Sequence, residues 1–265
     1  MTGFTVLLRK ELLEQWRTTR LPVVATVFLL VGLSSPLLAR FTPEIIKAVG
    51  GDQFQIVLPT PTAADAYDQL AKNLGQFGAL IAVLLAMGSV ATEKERGTAA
   101  LILTKPASRG AFLVAKIVAI ATTLGVSTAI AAVGAWFYTF VLFEPLSVVG
   151  FAAAALLQWL ALVAYAAITF VGSTLTRSAL AAAGLGVAAF IILGILGIVP
   201  AIGRYLPTGL GAPARGLALG QAGVDVLGPT VDSVVLIGVL VGVAWIAFRR
   251  QELRRPRQVS LRRSR

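Results

Sequence analysis

Long apolar runs, each about the length of a bilayer crossing, constrain this chain more than any other feature. The stretches 117–143 and 148–175 contain no Asp, Glu, Lys or Arg. A helix in water needs a polar face, and these stretches offer none. At about 1.5 Å rise per residue, some 20 apolar residues cross the ~30 Å hydrocarbon core. Composition agrees: 57% of the residues are hydrophobic and 13% charged, against about 25% charged in soluble domains. The expected fold class is an all-α membrane protein.

Six spans are expected, at about 21–39, 74–91, 111–143, 148–175, 179–199 and 230–248. Together they make a single transmembrane domain over 1–248, followed by a basic tail, 249–265, expected to be disordered. Pro36 is expected to kink or end the first span, and Pro43, Gly50-Gly51, Pro59 and Pro61 mark 40–73 as a connection. Glu144-Pro145 and Thr176-Arg177-Ser178 are tight turns, so the spans they join are antiparallel neighbours. Asp232 makes the sixth span the weakest. The segment 200–229 is rich in glycine and proline but keeps Leu206, Leu210, Leu217 and Leu219.

Residues 4–17 read as an amphipathic helix. Phe4, Leu8, Leu12 and Trp16 recur every four residues, with Arg9, Lys10, Glu14 and Arg17 on other faces. Such a helix lies in the membrane interface with tryptophan at headgroup depth. A plain lead-in to the first span is the alternative. No cleavable signal peptide is expected, because Arg9, Lys10, Glu11, Glu14 and Arg17 precede the first apolar run.

Lys and Arg number 18 in the connections 1–20, 93–116, 173–178 and 249–265, and 5 in 40–73, 143–147 and 200–229. The positive-inside rule therefore places both termini in the cytoplasm. The net charge of +11 is explained by topology rather than by nucleic acid, and the basic tail is expected to attract anionic lipid headgroups.

The chain has no histidine and no cysteine. Imidazole-based triads, histidine metal sites and thiolate chemistry are thereby excluded. No Asp, Glu, Lys or Arg falls in the middle of an expected span, which disfavours proton- or ion-coupled transport. There is no G-x-x-x-x-G-K-[ST] nucleotide loop. The small residues Gly125, Gly134, Gly172, Gly184, Gly186, Gly194 and Gly197 fit close helix packing.

The connection after span 2 is the most informative. Thr92 and Glu95 match a T-x-x-E capping box that would start a new helix there. Glu93 and Glu95 suit the positive end of that helix. Leu101, Ile102 and Leu103 supply apolar surface, Pro106 stops the helix by forcing Lys105 out of helical geometry, and Ser108 caps span 3. The pattern fits either a docking element for a soluble partner or a solvated connector.

Lys10-Glu11-Leu12 with Arg17, then Glu93-x-Glu95-Arg96-Gly97-Thr98, then Lys105-Pro106-x-Ser108-Arg109 with Lys116, resemble the permease subunit of ABC-2 type transporters. The resemblance covers the six-span layout, with its recognisable residues in about the first 120. It implies a permease that exports a substrate and binds no cofactor itself, with ATP and magnesium held by a cytoplasmic ATPase subunit. It implies a second permease copy, identical or different, in a cell membrane. Glu93, Lys94, Glu95, Arg96, Gly97, Thr98, Leu101, Lys105 and Arg109 would then couple to the ATPase. Arg9, Lys10, Glu11, Glu14, Trp16 and Arg17 would belong to the family's interfacial connecting helix, and 200–229 to its external region of short re-entrant helices. The competing readings are an ATPase-independent channel or secondary transporter, a membrane anchor or assembly factor, and, least favoured, an intramembrane enzyme.

Overall fold

The computed structural model describes residues 2–50, 60–98 and 108–251. Among them the chain is an all-α membrane protein, with six helical stretches long and apolar enough to cross a bilayer. Helix α1 (Thr2–Arg17) is followed by α2 (Arg20–Gly50), the first span. The break between them falls at Thr18 and Thr19. Thr18 Oγ1 donates to the Glu14 carbonyl at 2.6 Å, and Thr19 takes a positive φ of 58°, which ends a right-handed helix.

Neither Pro36 nor Pro43 ends α2, against the expectation for this region: the helix runs on to Gly50. Each proline removes one backbone donor, and a hydroxyl stands beside each. Ser35 Oγ donates to the Val31 carbonyl at 2.6 Å and Thr42 Oγ1 to the Leu38 carbonyl at 2.6 Å. Such side-chain bonds help a proline-bearing helix persist in an apolar setting.

The second span also starts earlier than the hydropathy suggests. It comprises α3 (Ala63–Asn73), a single wide π turn (Leu74–Gly78) and α4 (Ala79–Met87), with α5 (Ala91–Glu95) at its end. Its start is a true capping box: Thr62 caps α3, and the Asp65 carboxylate accepts from the Thr62 backbone at 2.7 Å. Asn73 reaches back to Ser35 of α2 at 2.9 Å and accepts from Gln69 at 3.1 Å, so a short polar chain crosses between the first two spans.

The remaining spans are α6 (Arg109–Leu142), α7 (Val148–Leu175), α8 (Ala179–Gly197) and α11 (Leu227–Arg250). Ser108, Ser147 and Ser178 each accept a backbone N–H three residues on, and so cap α6, α7 and α8. Between α8 and α11 lie α9 (Pro200–Gly203), a 3-10 turn (Pro207–Leu210) and α10 (Gly211–Ala218).

Helix α7 is the centre of the bundle and packs on α4, α6, α8, α10 and α11. Its Leu162, Ala164 and Phe170 are fully buried. Segment 200–218 is not an open loop. Leu210, Ala214 and Ala218 are buried against α7, and Arg215 pairs with Asp68 of α3 at 2.7 Å. The most extensive helix contact is α2 with α6, where Gly32 lies directly against the backbone of Ala131. In contrast, α8 and α11 bury little: Leu180, Ile195, Val235 and Val239 point outward, each more than half exposed. Outward apolar side chains are the natural surface of a helix that meets lipid.

Candidate functional site

At one end of the bundle, α1, α5, the start of α6 and the ends of α7 and α11 converge, and most of the ionic contacts gather there. Their centre is Lys116, near the start of α6 and 4% exposed. Its ammonium sits 3.1 and 3.0 Å from the two carboxylate oxygens of Glu11 and 2.6 Å from Glu93 Oε1. The same ammonium lies 5.1 Å above the Phe112 ring. Three elements far apart in sequence are thus joined through one buried cation.

Lys10 extends the network toward solvent. It contacts Glu11 at 2.9 Å, Glu14 at 3.1 Å and Glu93 at 3.7 Å. Burial opposes its charge, yet its bonds to Glu11 and Glu14 outweigh burial and hold its pKa above the ordinary lysine value. Burial opposes the Glu14 carboxylate too, and the bond from Lys10 overcomes it, drawing that carboxyl below its usual range. A buried charge is tolerated only when paired and hydrogen-bonded in this way. A polar cleft of ≈ 300 Å³ opens beside the network, lined by Gln15, Arg20, Thr92 and Arg96 as well. Within the described residues, Gln15 Oε1 and Glu93 Oε2 are buried acceptors without a donor.

The expected capping box at Thr92 and Glu95 is not what begins α5. Thr92 lies inside that helix, whose preceding residue is Val90. The cap comes from another span: Ser173 Oγ, near the end of α7, accepts from the backbone N–H groups of Val90 and Ala91 at 3.1 and 3.0 Å. Sequence spacing cannot reveal a cap supplied from more than eighty residues away. The helix ends at Glu95 with Arg96 as its cap, and the next residue, Gly97, takes a φ of 72°, the left-handed geometry that suits glycine there.

The residues expected to meet a partner divide into two groups. Glu93, Lys94 and Arg109 turn inward. Lys94 Nζ donates to the Thr174 carbonyl at 2.6 Å and to Gln251 at 3.1 Å, and Gln251 donates to the same carbonyl at 2.9 Å. Arg109 donates to the Arg249 carbonyl at 3.0 Å, satisfying the last turn of α11. Glu95, Arg96 and Thr98 are exposed, with Gly97 half-buried between them. Leu101 and Lys105 lie outside the described residues.

Helix α1 also differs from its sequence pattern. Glu11 and Gln15 are its buried residues, so a polar face meets the bundle. Val6, Leu13 and Trp16 point away, with Trp16 63% exposed, while Phe4, Leu8 and Leu12 are half-buried. Arg9 and Arg17 are exposed. Lys116 and Ser173, which organise the junction, were not among the expected site residues. A lysine a few residues inside an expected span was the available signal for the first. A serine in a small-residue run offered none for the second.

This arrangement, six helices long and apolar enough to cross a bilayer with a buried charged junction at one end, is that of a multi-pass membrane protein. The chain belongs to the ABC-2 transporter family: the profile described as "ABC-2 family transporter protein" matches residues 5–219. It is also similar to the "Uncharacterized transmembrane protein YxlG" of Bacillus subtilis (strain 168), with 30% identity over 259 residues, covering 95% of this chain and 99% of that one.

Proposed function

We propose that this chain is the permease subunit of an ATP-driven exporter, working with a separate cytoplasmic ATPase subunit and a second permease copy in the cell membrane. Hydrolysis takes place on the partner, and the chain itself performs no catalysis. The charged end of the bundle faces the cytoplasm, a reading that the Lys and Arg asymmetry supports. The ATPase docks on the exposed turn Glu95–Thr98, and α1 lies in the membrane interface with Trp16 at headgroup depth.

The observation that carries this reading is the ionic junction of Lys116 with Glu11 and Glu93, in a chain of this family. Glu93 belongs to the same short helix as Glu95. A push on the exposed turn therefore reaches α1 and α6 through buried ion pairs rather than through a flexible tether. Rim charges such as Glu95 and Arg96 orient a partner, whereas buried pairs hold geometry.

Purifying the chain in mild detergent from its natural membrane tests the partner: a separate ATPase is expected to co-purify. Reversing both exposed charges, Glu95→Lys with Arg96→Glu, is expected to cut permease-dependent ATP hydrolysis at least about tenfold, the equivalent of ~1.4 kcal/mol. Helix content and thermal stability should hold. Unchanged co-purification and unchanged hydrolysis in that variant would refute docking at this turn.

A further inference from the structure

A second feature lies on the outer wall of the bundle, where the start of α6 meets the latter half of α11. The two helices part to leave a cleft of ≈ 750 Å³, apolar along most of its length. Leu113 and Val114 form the α6 side. Gly238 and Gly242 form the α11 side, one helical turn apart, and in the described structure nothing beyond the helix's own adjoining backbone lies within 4 Å of where a Cβ on either would stand. The chain's own described side chains do not fill this space.

The cleft ends at charge. Arg109 opens α6 and Arg249 lies in the last turn of α11, and both line the cleft. Neither pairs with a carboxylate among the described residues; Arg109 holds only backbone carbonyls of α11, through one of its guanidinium nitrogens, which leaves its charge without a counter-ion. Trp245 stands between them: the Arg249 guanidinium lies 4.9 Å above its ring. The Trp245 indole nitrogen lies 3.3 Å from where a Gly110 Cβ would stand. Tryptophan and arginine at the ends of spans mark headgroup depth. From Gly238 to Arg249, α11 rises roughly 16 Å, about half of the ~30 Å hydrocarbon core and so one leaflet.

We infer that this cleft binds one anionic phospholipid, with an acyl chain against Gly238 and Gly242 and the headgroup phosphate against Arg109 and Arg249. A glycine pair four residues apart also suits a packed helix. Here a second copy of the chain would bring its own Arg109 and Arg249 to the same depth, and like charges would oppose it. The charge complementarity favours a lipid phosphate. The inference requires that the chain spans a bilayer but does not depend on the ATPase reading, so either can fail without the other.

The test uses the full chain in detergent with added phosphatidylglycerol or phosphatidylcholine carrying brominated acyl chains, which quench nearby tryptophan. The signal is the part of the emission lost in Trp245→Phe. Brominated phosphatidylglycerol is expected to quench it at a lower mole fraction than phosphatidylcholine. Arg249→Gln should raise the half-quenching mole fraction of phosphatidylglycerol about fivefold, the worth of one basic residue at an anionic surface. Gly238→Leu with Gly242→Leu fills the cleft from its open side and should abolish the preference, with helix content and melting retained. If the double variant does not fold, Arg249→Gln alone still decides. Equal quenching by the two lipids overturns the inference, as does a preference that survives the filled cleft. A Trp245 shielded from both lipids, as a second copy seated there would leave it, overturns it too.

Discussion

Lys116 shows what one buried charge can do in an otherwise apolar bundle. It is nearly inaccessible, and both of its carboxylate partners come from other elements. Lys116→Met would leave Glu11 and Glu93 with their partner gone and little water to replace it. Removing one member of a buried pair typically costs about 3–5 kcal/mol. The variant should therefore melt markedly lower in detergent than the parent chain. Replacing Lys10, which is 43% exposed, with Met should cost far less, because exposed pairs contribute at most about 1 kcal/mol. Equal melting losses in the two variants would contradict the burial argument. The same reasoning governs Glu93. Although it sits in the stretch read as a docking motif, reversing its charge would break the junction itself. A test of docking belongs on Glu95 and Arg96.

At the scale of elements, helix contacts rest on close approach rather than on large side chains. Within a bilayer, apolar side chains gain little by leaving lipid for protein, so packing and polar bonds hold helices together. Gly32 is the clearest case: a methyl group there would strike the Ala131 backbone, which cannot rotate aside. Gly32→Val is expected to force α2 and α6 apart and lower the yield of folded protein or its melting temperature. Gly184→Val is the matched control, since a side chain at Gly184 meets nothing within 4 Å. If both variants melt alike, close approach does not hold α2 to α6. Elements are also tied by polar bonds that the packing shelters. Ser173 caps α5, Lys94 and Gln251 tie α5 and α11 to the end of α7, and Asn73 joins Ser35.

For the molecule as a whole, an even number of spans would put both ends on one side, and the charge asymmetry of 18 against 5 is the basis for proposing the cytoplasmic side. The absence of cysteine makes this easy to check, because a single introduced cysteine is then the one thiol of the sequence and labelling is read on the purified chain. Thr18→Cys, beside the charged junction, should resist a membrane-impermeant maleimide in intact cells and react after permeabilisation. Glu144→Cys, in the turn between α6 and α7, should react in intact cells. Labelling of Thr18→Cys from outside would invert the topology and with it the assignment of the docking face.

Much of this was legible from the residues in order. Hydrophobicity and helix capping are local properties, so the run 148–175 marked α7 end to end, and Ser108 marked the start of α6. The far end of α2 and the start of the second span were not legible. A proline or a charged residue reads locally as a break, yet Ser35 and Thr42 place hydroxyls beside the prolines and Asp65 caps α3. Charge order along the chain likewise determined the expected topology, because it depends on where Lys and Arg fall between spans and not on how the spans pack. Only the tertiary structure decided which charges meet. Glu11, Glu93 and Lys116 become one site because three helix ends converge, and Ser173 finds Val90 for the same reason. Whether a charge near a helix end faces a partner or its own bundle depends on contacts between distant segments. The tertiary structure therefore separated Glu93, Lys94 and Arg109 from Glu95 and Arg96 within what reads as a single motif.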